Sequence, residues 1–241
     1  MSNKILFVFE GEKTEEQIVH SLQKFFVNEN TLVKCVYGAE IYQIYKDIVN
    51  DDDLDTFNLL KERSLENAKT LNQYNRSDFA EIYLFFDYDG HSTLADDSKL
   101  KELIEFFCEE TDKGKLYVSY PMVESLKHID DFERFKDLTV HCKKNLSYKN
   151  LVHNTCLKSL SNFNKYDIDT WKQIIITHLM KMNYVVVGDY SLPNEIFEQL
   201  IIFSNQLGKY INPHSTVSVL SAFPIFLHDY YGNEGIKERI K

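Results

Sequence analysis

Two aspartates one residue apart, Asp87 and Asp89, stand directly after the apolar run Glu81-Ile82-Tyr83-Leu84-Phe85-Phe86 and just before Gly90. Carboxylates at that spacing beyond a strand can turn toward one pocket, and carboxylate oxygens are the preferred ligands of hard Mg²⁺. Glu10 follows the apolar run Lys4-Ile5-Leu6-Phe7-Val8-Phe9, and Glu124 follows a run that ends near Ser119. In an open parallel sheet, loops and helix N-termini converge at the carboxyl ends of the strands, so ligands bind there. A shared divalent cation would offset the mutual repulsion of such acids. Each acid also has an ordinary structural role open to it. A Glu-Gly pair after a strand serves as a turn or a helix-capping acid, and Asp-x-Asp-Gly is a common turn sequence.

Further residues stand around these acids. Gly11 and Gly90 are expected to let the backbone turn sharply beside the carboxylates and to bring N–H groups near a bound phosphate. Lys13, at the mouth of the first expected helix, is a candidate phosphate contact, and an ordinary solvated lysine otherwise. Lys127 and His128, one helical turn after Glu124, and His91, after Asp89, could line the same pocket. From Val140 to Tyr166 there are five lysines (Lys143, Lys144, Lys149, Lys158, Lys165) and no acid, interleaved with His141, Tyr148, His153, Phe163 and Tyr166. Lysines among aromatics suit single-stranded or distorted nucleic acid, where ammonium groups follow the backbone and rings stack on bases. They equally suit a solvated helical face. Lys143 and Lys144 are the substrate-binding candidates of this stretch.

The elements that would position these groups alternate. Lys4 to Phe9 is continuous and apolar, as in a strand buried on both faces. Thr14 with Gln17 matches a capping box, and Ile18, Val19, Leu22, Phe25 and Phe26 repeat at helical spacing. Leu32 to Tyr37 reads as a second strand, and Glu40 to Arg76 as helices with a solvated acidic turn at Asp51-Asp52-Asp53 and Asp55. Glu81 to Phe86 is the strongest strand signal, Leu100 to Phe107 a helix, and Lys115 to Ser119 a strand before Pro121. Strands alternating with helices imply parallel pairing through right-handed crossovers. Beyond Glu124 the periodicity becomes helical over Leu151 to Leu160, Trp171 to Met182, Ile196 to Leu207 and Thr216 to Tyr230, with Tyr184-Val185-Val186-Val187 a strand-like interruption. The fold class expected is α/β, a mostly parallel sheet flanked by helices in residues 1–124, with a mainly helical region over 125–241.

Composition excludes several classes. The chain has 241 residues with 27 basic and 37 acidic side chains, a net charge of −10. Non-specific coating of nucleic acid draws its affinity from Lys and Arg against phosphate, so any nucleic-acid contact must come from a local patch. An apolar fraction of 44% supplies a large core, which excludes a disordered chain. No stretch approaches the roughly 20 apolar residues of a membrane span. The four cysteines form no C-x-x-C pair, which suggests neither a zinc site nor a disulfide framework. Met1 to Phe9 lacks the features of a secretory signal, so a cytoplasmic protein that starts here is expected.

The string Phe7-Val8-Phe9-Glu10-Gly11-Glu12-Lys13-Thr14-Glu15, followed by Leu84-Phe85-Phe86-Asp87-Tyr88-Asp89, resembles the Toprim fold, which pairs a Glu-Gly after its first strand with a later Asp-x-Asp. Ser119-Tyr120-Pro121-Met122-Val123-Glu124 is similar to the third acidic element of Toprim nucleases of the overcoming-lysogenization-defect type and of related abortive-infection proteins. The resemblance covers the first half of the chain. It implies phosphodiester cleavage in nucleic acid with one or two Mg²⁺ or Mn²⁺ ions and a role in anti-phage defence. Asp87 and Asp89 would hold metal, Glu124 would be a further ligand or a supporting acid, and Glu10 a metal ligand or general acid/base. It also implies a regulatory partner protein or a homo-oligomer that keeps the nuclease silent until triggered. Mg²⁺ polarises phosphate, activates a bound water and stabilises charge on attacking and leaving oxygens.

Two rivals remain. Phe86-Asp87-Tyr88-Asp89-Gly90 also resembles the nucleophile motif of haloacid-dehalogenase-type phosphatases, in which Asp87 would be phosphorylated and Asp89 act as acid/base. Val185-Val186-Val187-Gly188-Asp189, with Lys181 upstream, imitates their later metal-binding strand. Against this, a strand-helix-strand unit precedes the motif, His91 replaces the usual Thr, and Glu10 is left unused. The second rival is a non-catalytic Toprim-like binding module that keeps its acids for folding or for a regulatory metal.

Overall fold

The computed structural model describes residues 4–27, 31–50, 54–144 and 147–241. The expected turn at Asp51-Asp52-Asp53 lies outside the described residues. In chain order the elements are β1 (Lys4–Phe9), α1 (Lys13–Gln23), β2 (Leu32–Val36), α2 (Ile41–Asn50), α3 (Thr56–Arg63), α4 (Leu65–Leu71), β3 (Phe79–Asp87), α5 (Asp97–Phe106), β4 (Cys108–Glu109) and β5 (Gly114–Ser119). Then follow β6 (Thr139–His141), α6 (Tyr148–Thr155), α7 (Ile168–Val187), α8 (Gln199–Gln206), the single turn α9 (Asn212–His214), β7 (Thr216–Ser218) and α10 (Ala222–Arg239), which is interrupted at Gly232. The fold is α/β, with a mostly parallel five-stranded sheet in the order β2-β1-β3-β5-β4 and a helical C-terminal part. β1 runs parallel to both β2 and β3, while β4 is an antiparallel edge on β5.

The chain divides into two compact units, one of residues 1–86 with 96–116, the other of residues 87–95 with 117–241. In the first unit, β1 is flanked on both sides by parallel strands, which explains its unbroken apolar run: Ile5 to Phe9 are all buried. Phe7 and Phe9 meet Phe85 of β3 at ring-centroid separations of 5.0 and 5.6 Å, and such pairs contribute about 0.5–1.5 kcal/mol each beyond their area. Helix α1 buries Ile18, Val19 and Leu22 and leaves Glu16 and His20 in water. Its start differs from the Thr14–Gln17 expectation. Thr14 lies inside the helix, Glu12 is the N-cap residue without a side-chain cap, and the Glu15 carboxylate accepts the Gly11 amide at 3.2 Å. The helix also ends at Gln23, short of Phe25 and Phe26.

In the second unit the two-stranded antiparallel sheet β6–β7 and the helices α6 to α10 enclose a separate core around Trp171, Phe203, Phe223 and Phe226, all fully buried. Tyr184-Val185-Val186-Val187, expected as a strand, is the last turn of α7. β-branched residues disfavour helix only weakly, and here the helix is closed by Gly188 at φ +86° and by Lys209, whose Nζ donates to the carbonyls of Val185 (2.5 Å) and Val186 (3.0 Å). Thr216 to Tyr230, expected as one helix, splits into β7 and α10 because Thr216 to Ser218 find strand partners in Thr139 to His141, far away in sequence. The helix expected over Leu151 to Leu160 is shorter, α6, followed by a single turn at Lys158–Leu160. Among the described residues no helix is long and apolar enough to cross a membrane, and all four cysteines are free thiols.

Candidate functional site

Asp87 is the last residue of β3, and the chain then turns through Tyr88, Asp89 and Gly90. This turn is anchored on the segment that follows β5: the Tyr88 amide donates to the Ser119 carbonyl at 3.0 Å and the Asp89 amide to the Pro121 carbonyl at 3.3 Å. Asp89 takes a left-handed backbone with φ +41°. That conformation is unusual for a residue with a Cβ, although aspartate tolerates it better than most. Neither Gly11 nor Gly90 has a positive φ, and in the turn after β3 the left-handed residue is Asp89 rather than Gly90. Gly90 is needed for space. A Cβ at that position would run into the ring of Tyr88, 2.8 Å from its Cζ. Tyr88 cannot yield, because it is fully buried against Tyr120 and Phe203.

Glu124 lies in a short 3₁₀ turn, Val123–Lys127, beyond the cis Tyr120–Pro121 peptide. Its side chain is about 5% exposed, and Oε1 lies 3.6 Å from the Lys149 Nζ at the start of α6. Oε2 is buried and has no hydrogen-bond partner among the described residues. Asp87 and Asp89 are buried as well. The Nδ1 of His91 lies 3.8 Å from Asp89 Oδ1. Tyr148 links the cluster: burial drives its hydroxyl pKa well above the ordinary tyrosine value, and the charges of Glu124 and Asp87 push it the same way. Its oxygen lies 2.9 Å from Nδ1 of His128. Burial lowers the His128 pKa to about 4, Lys181 adds to the lowering, and Asp130 opposes it. The imidazole is therefore neutral near pH 7.

The second unit thus contains Asp87, Asp89 and Glu124 together with Lys127, His128, Lys143 and Lys144. Lys144 is exposed and lines a cavity, the exposed Lys143 holds its Nζ 5.3 Å from the centroid of Tyr88, and Lys127 lies over Phe163 at 4.8 Å. His128 is buried against Tyr148. Glu10 and Lys13 belong to the first unit. Glu10 directly follows β1, and its amide donates to the Phe85 carbonyl at 3.2 Å, while Lys13 is exposed on the first turn of α1. The Gly11 amide, expected near a phosphate, is engaged by Glu15. Sequence reasoning did not single out Tyr148 and Lys149. The acid-free stretch 140–166 was the signal that contained them.

Buried carboxylate oxygens are hard donors of the kind Mg²⁺ and Mn²⁺ take, and an unpartnered one suits a cation. Among the described residues no three His, Cys, Asp or Glu side chains converge tightly enough to cage an ion. Mg²⁺ is typically held by one or two carboxylates while retaining water and substrate phosphate, so the donor set fits that mode of binding.

No protein-family model, curated protein or solved structure matches this chain.

Proposed function

We propose that this protein is a Mg²⁺- or Mn²⁺-dependent nuclease of Toprim type that hydrolyses phosphodiesters in nucleic acid, acting in the cytoplasm as an effector of anti-phage defence. The observation that carries the proposal is Glu124: a buried carboxylate with an oxygen that has no hydrogen-bond partner among the described residues, in one compact unit with the buried Asp87 and Asp89. Leaving such an oxygen unsatisfied costs about 1–3 kcal/mol, a cost that a ligand can relieve. Asp89, in the same compact unit, is held in a left-handed conformation, the kind of local strain that collects at functional sites.

A divalent ion bound there would supply Lewis-acid polarisation of the scissile phosphate and a water of lowered pKa. One or two of Asp87, Asp89 and Glu124 would hold it, the remaining acid orienting its bound water, and burial keeps their charges little screened by solvent. Lys149 would steady the carboxylate of Glu124 and offer a cation to the phosphate. Glu10 is assigned to the same chemistry by the Toprim resemblance. The net charge of −10 and that resemblance together support a regulatory partner protein as part of the proposal. The supports for a phosphatase weaken: Val185 to Val187 is helical, and Lys181 is buried with its Nζ donating to the carbonyls of Phe135 (2.7 Å) and Leu138 (2.6 Å).

The test is a cleavage assay on single- and double-stranded DNA and RNA with Mg²⁺, Mn²⁺ or EDTA. The expected result is metal-dependent cleavage that drops roughly 10²–10³-fold in Glu10→Ala, Asp87→Asn, Asp89→Asn and Glu124→Gln. A trapped aspartyl-phosphate on Asp87 would overturn the nuclease in favour of a phosphatase. Metal binding without turnover on any substrate would overturn it in favour of a binding module.

A further inference from the structure

A cavity of about 350 Å³ opens in the second unit, walled by His91, His141, Lys144 and Lys149 together with Met122 and Tyr148. Two of these wall residues are the ones that face the acids: His91 lies 3.8 Å from Asp89 and Lys149 3.6 Å from Glu124. Among the described residues no carboxylate lines the cavity, although the chain has ten more acids than bases. The wall therefore presents two lysines and two histidines to an occupant, beside the apolar side chains of Pro121 and Met122, the Tyr148 ring, and the small or polar Cys142, Ser147 and Asn150. Such a lining suits a ligand with an anionic end and a flat, largely apolar body.

Volume narrows the choice. Ligand cavities begin at about 300 Å³, so 350 Å³ takes one small unit with its phosphate. A paired duplex has its bases stacked inward and cannot lodge one in such a cavity unless the nucleotide is first unpaired and extruded. An unpaired strand bears no such cost. Lys149 and His91 then connect the two places, because each can exchange a carboxylate neighbour for a phosphate oxygen within reach of the same wall.

Taking its nucleic-acid substrate from the function proposed above, we propose that this cavity receives one nucleotide of a single-stranded nucleic acid, its phosphate on His141, Lys144 and Lys149 and its base against Met122 and Tyr148. The protein thereby selects unpaired over paired strands. His91, His141 and Lys149 become substrate-binding residues.

Binding is measurable without cleavage, by fluorescence anisotropy of the full chain in EDTA with labelled ten-nucleotide DNA and RNA single strands. An unlabelled duplex of equal length, a nucleoside monophosphate and inorganic phosphate serve as competitors. We expect the single strands to bind at least tenfold more tightly than the duplex. The double variant His141→Ala with Lys144→Ala should weaken single-strand binding at least tenfold and lower the salt slope by about 0.7 for each phosphate no longer neutralised. Lys158→Ala with Lys165→Ala removes two lysines of the same acid-free stretch that lie outside the cavity wall, and should change affinity less than twofold. Equal loss in both double variants, equal binding of duplex, or competition by phosphate alone as strong as by the nucleoside monophosphate would each overturn the cavity assignment. Selective single-strand binding with no cleavage under any metal would uphold the cavity and overturn the nuclease. Metal-dependent cleavage with unchanged affinity in the cavity variant would do the reverse.

Discussion

Glu124→Gln separates a carboxylate that waits for a cation from one that merely holds the fold together. Glutamine preserves shape and removes the charge. The Glu124 carboxylate is nearly enclosed, with one oxygen lacking a hydrogen-bond partner among the described residues and the other 3.6 Å from an ammonium that is itself largely exposed. A solvent-exposed lysine contributes at most about 1 kcal/mol to such a pair, whereas the unsatisfied buried oxygen costs about 1–3 kcal/mol. The charge is thus a net burden without metal, and Glu124→Gln should raise apo stability by roughly 1–2 kcal/mol. At this chain length each kcal/mol moves the melting temperature by about 2–4 °C, so the variant should melt roughly 2–8 °C higher in EDTA. In Mg²⁺ the order reverses in its response. If the ion is present at ten times its dissociation constant, binding stabilises the parent chain by about 1.4 kcal/mol, roughly 3–6 °C, and the variant by little. Differential scanning fluorimetry with and without Mg²⁺ or Mn²⁺ reads both effects. A variant that melts several degrees lower in EDTA, or a parent chain whose melting temperature ignores divalent ions, would show that Glu124 is a structural anion and refute the reasoning.

Three further outcomes can be checked. Asp89→Asn should keep the melting temperature within about 2 °C while lowering metal-dependent cleavage roughly 10²–10³-fold, because asparagine tolerates the left-handed backbone; Asp89→Ala should cost about 1 kcal/mol in chemical denaturation on top of the lost activity. Gly90→Ala drives a methyl into the immobile Tyr88 ring and should destabilise by about 1–3 kcal/mol in urea titration; unchanged stability would mean that the 87–95 turn relaxes freely. The last concerns acid. Burial lowers His128 to about 4 and His178 to about 3, so both bind a proton in the unfolded chain before they do in the folded one. Their stabilising contribution is complete above the unfolded value near 6.5 and is lost as pH falls toward the folded values. Between pH 6 and 5 the loss should approach about 1 kcal/mol for each histidine, and replacing both with glutamine should flatten that slope in urea titrations.

The strands and the acids at their ends were legible for one reason. β1 from Ile5 and β3 from Ile82 onward are buried, so these stretches are unbroken apolar runs whose ends are marked by the next charged residues, Glu10 and Asp87. Local pattern sufficed because burial was uniform along those stretches. It misled where a local preference met a remote partner. Tyr184 to Val187 has β-branched residues in a row, yet the caps supplied by Gly188 and Lys209 extend α7 through it. Thr216 to Ser218 reads as part of a helix until Thr139 to His141 pair with it. Gly90 advertised a turn, but its role is to clear the Tyr88 ring, a clash invisible in one dimension.

Residue order by itself determined the α/β class, the central strands, and the acids that end them, because apolar periodicity and its interruption are properties of neighbours along the chain. Only tertiary structure decided that Glu124 is enclosed with one bare oxygen, that Tyr148 and Lys149 meet it from α6, and that His91, His141 and Lys144 wall one cavity free of carboxylates among the described residues. Electrostatic work depends on distance and on the exclusion of water, and the linear sequence contains neither.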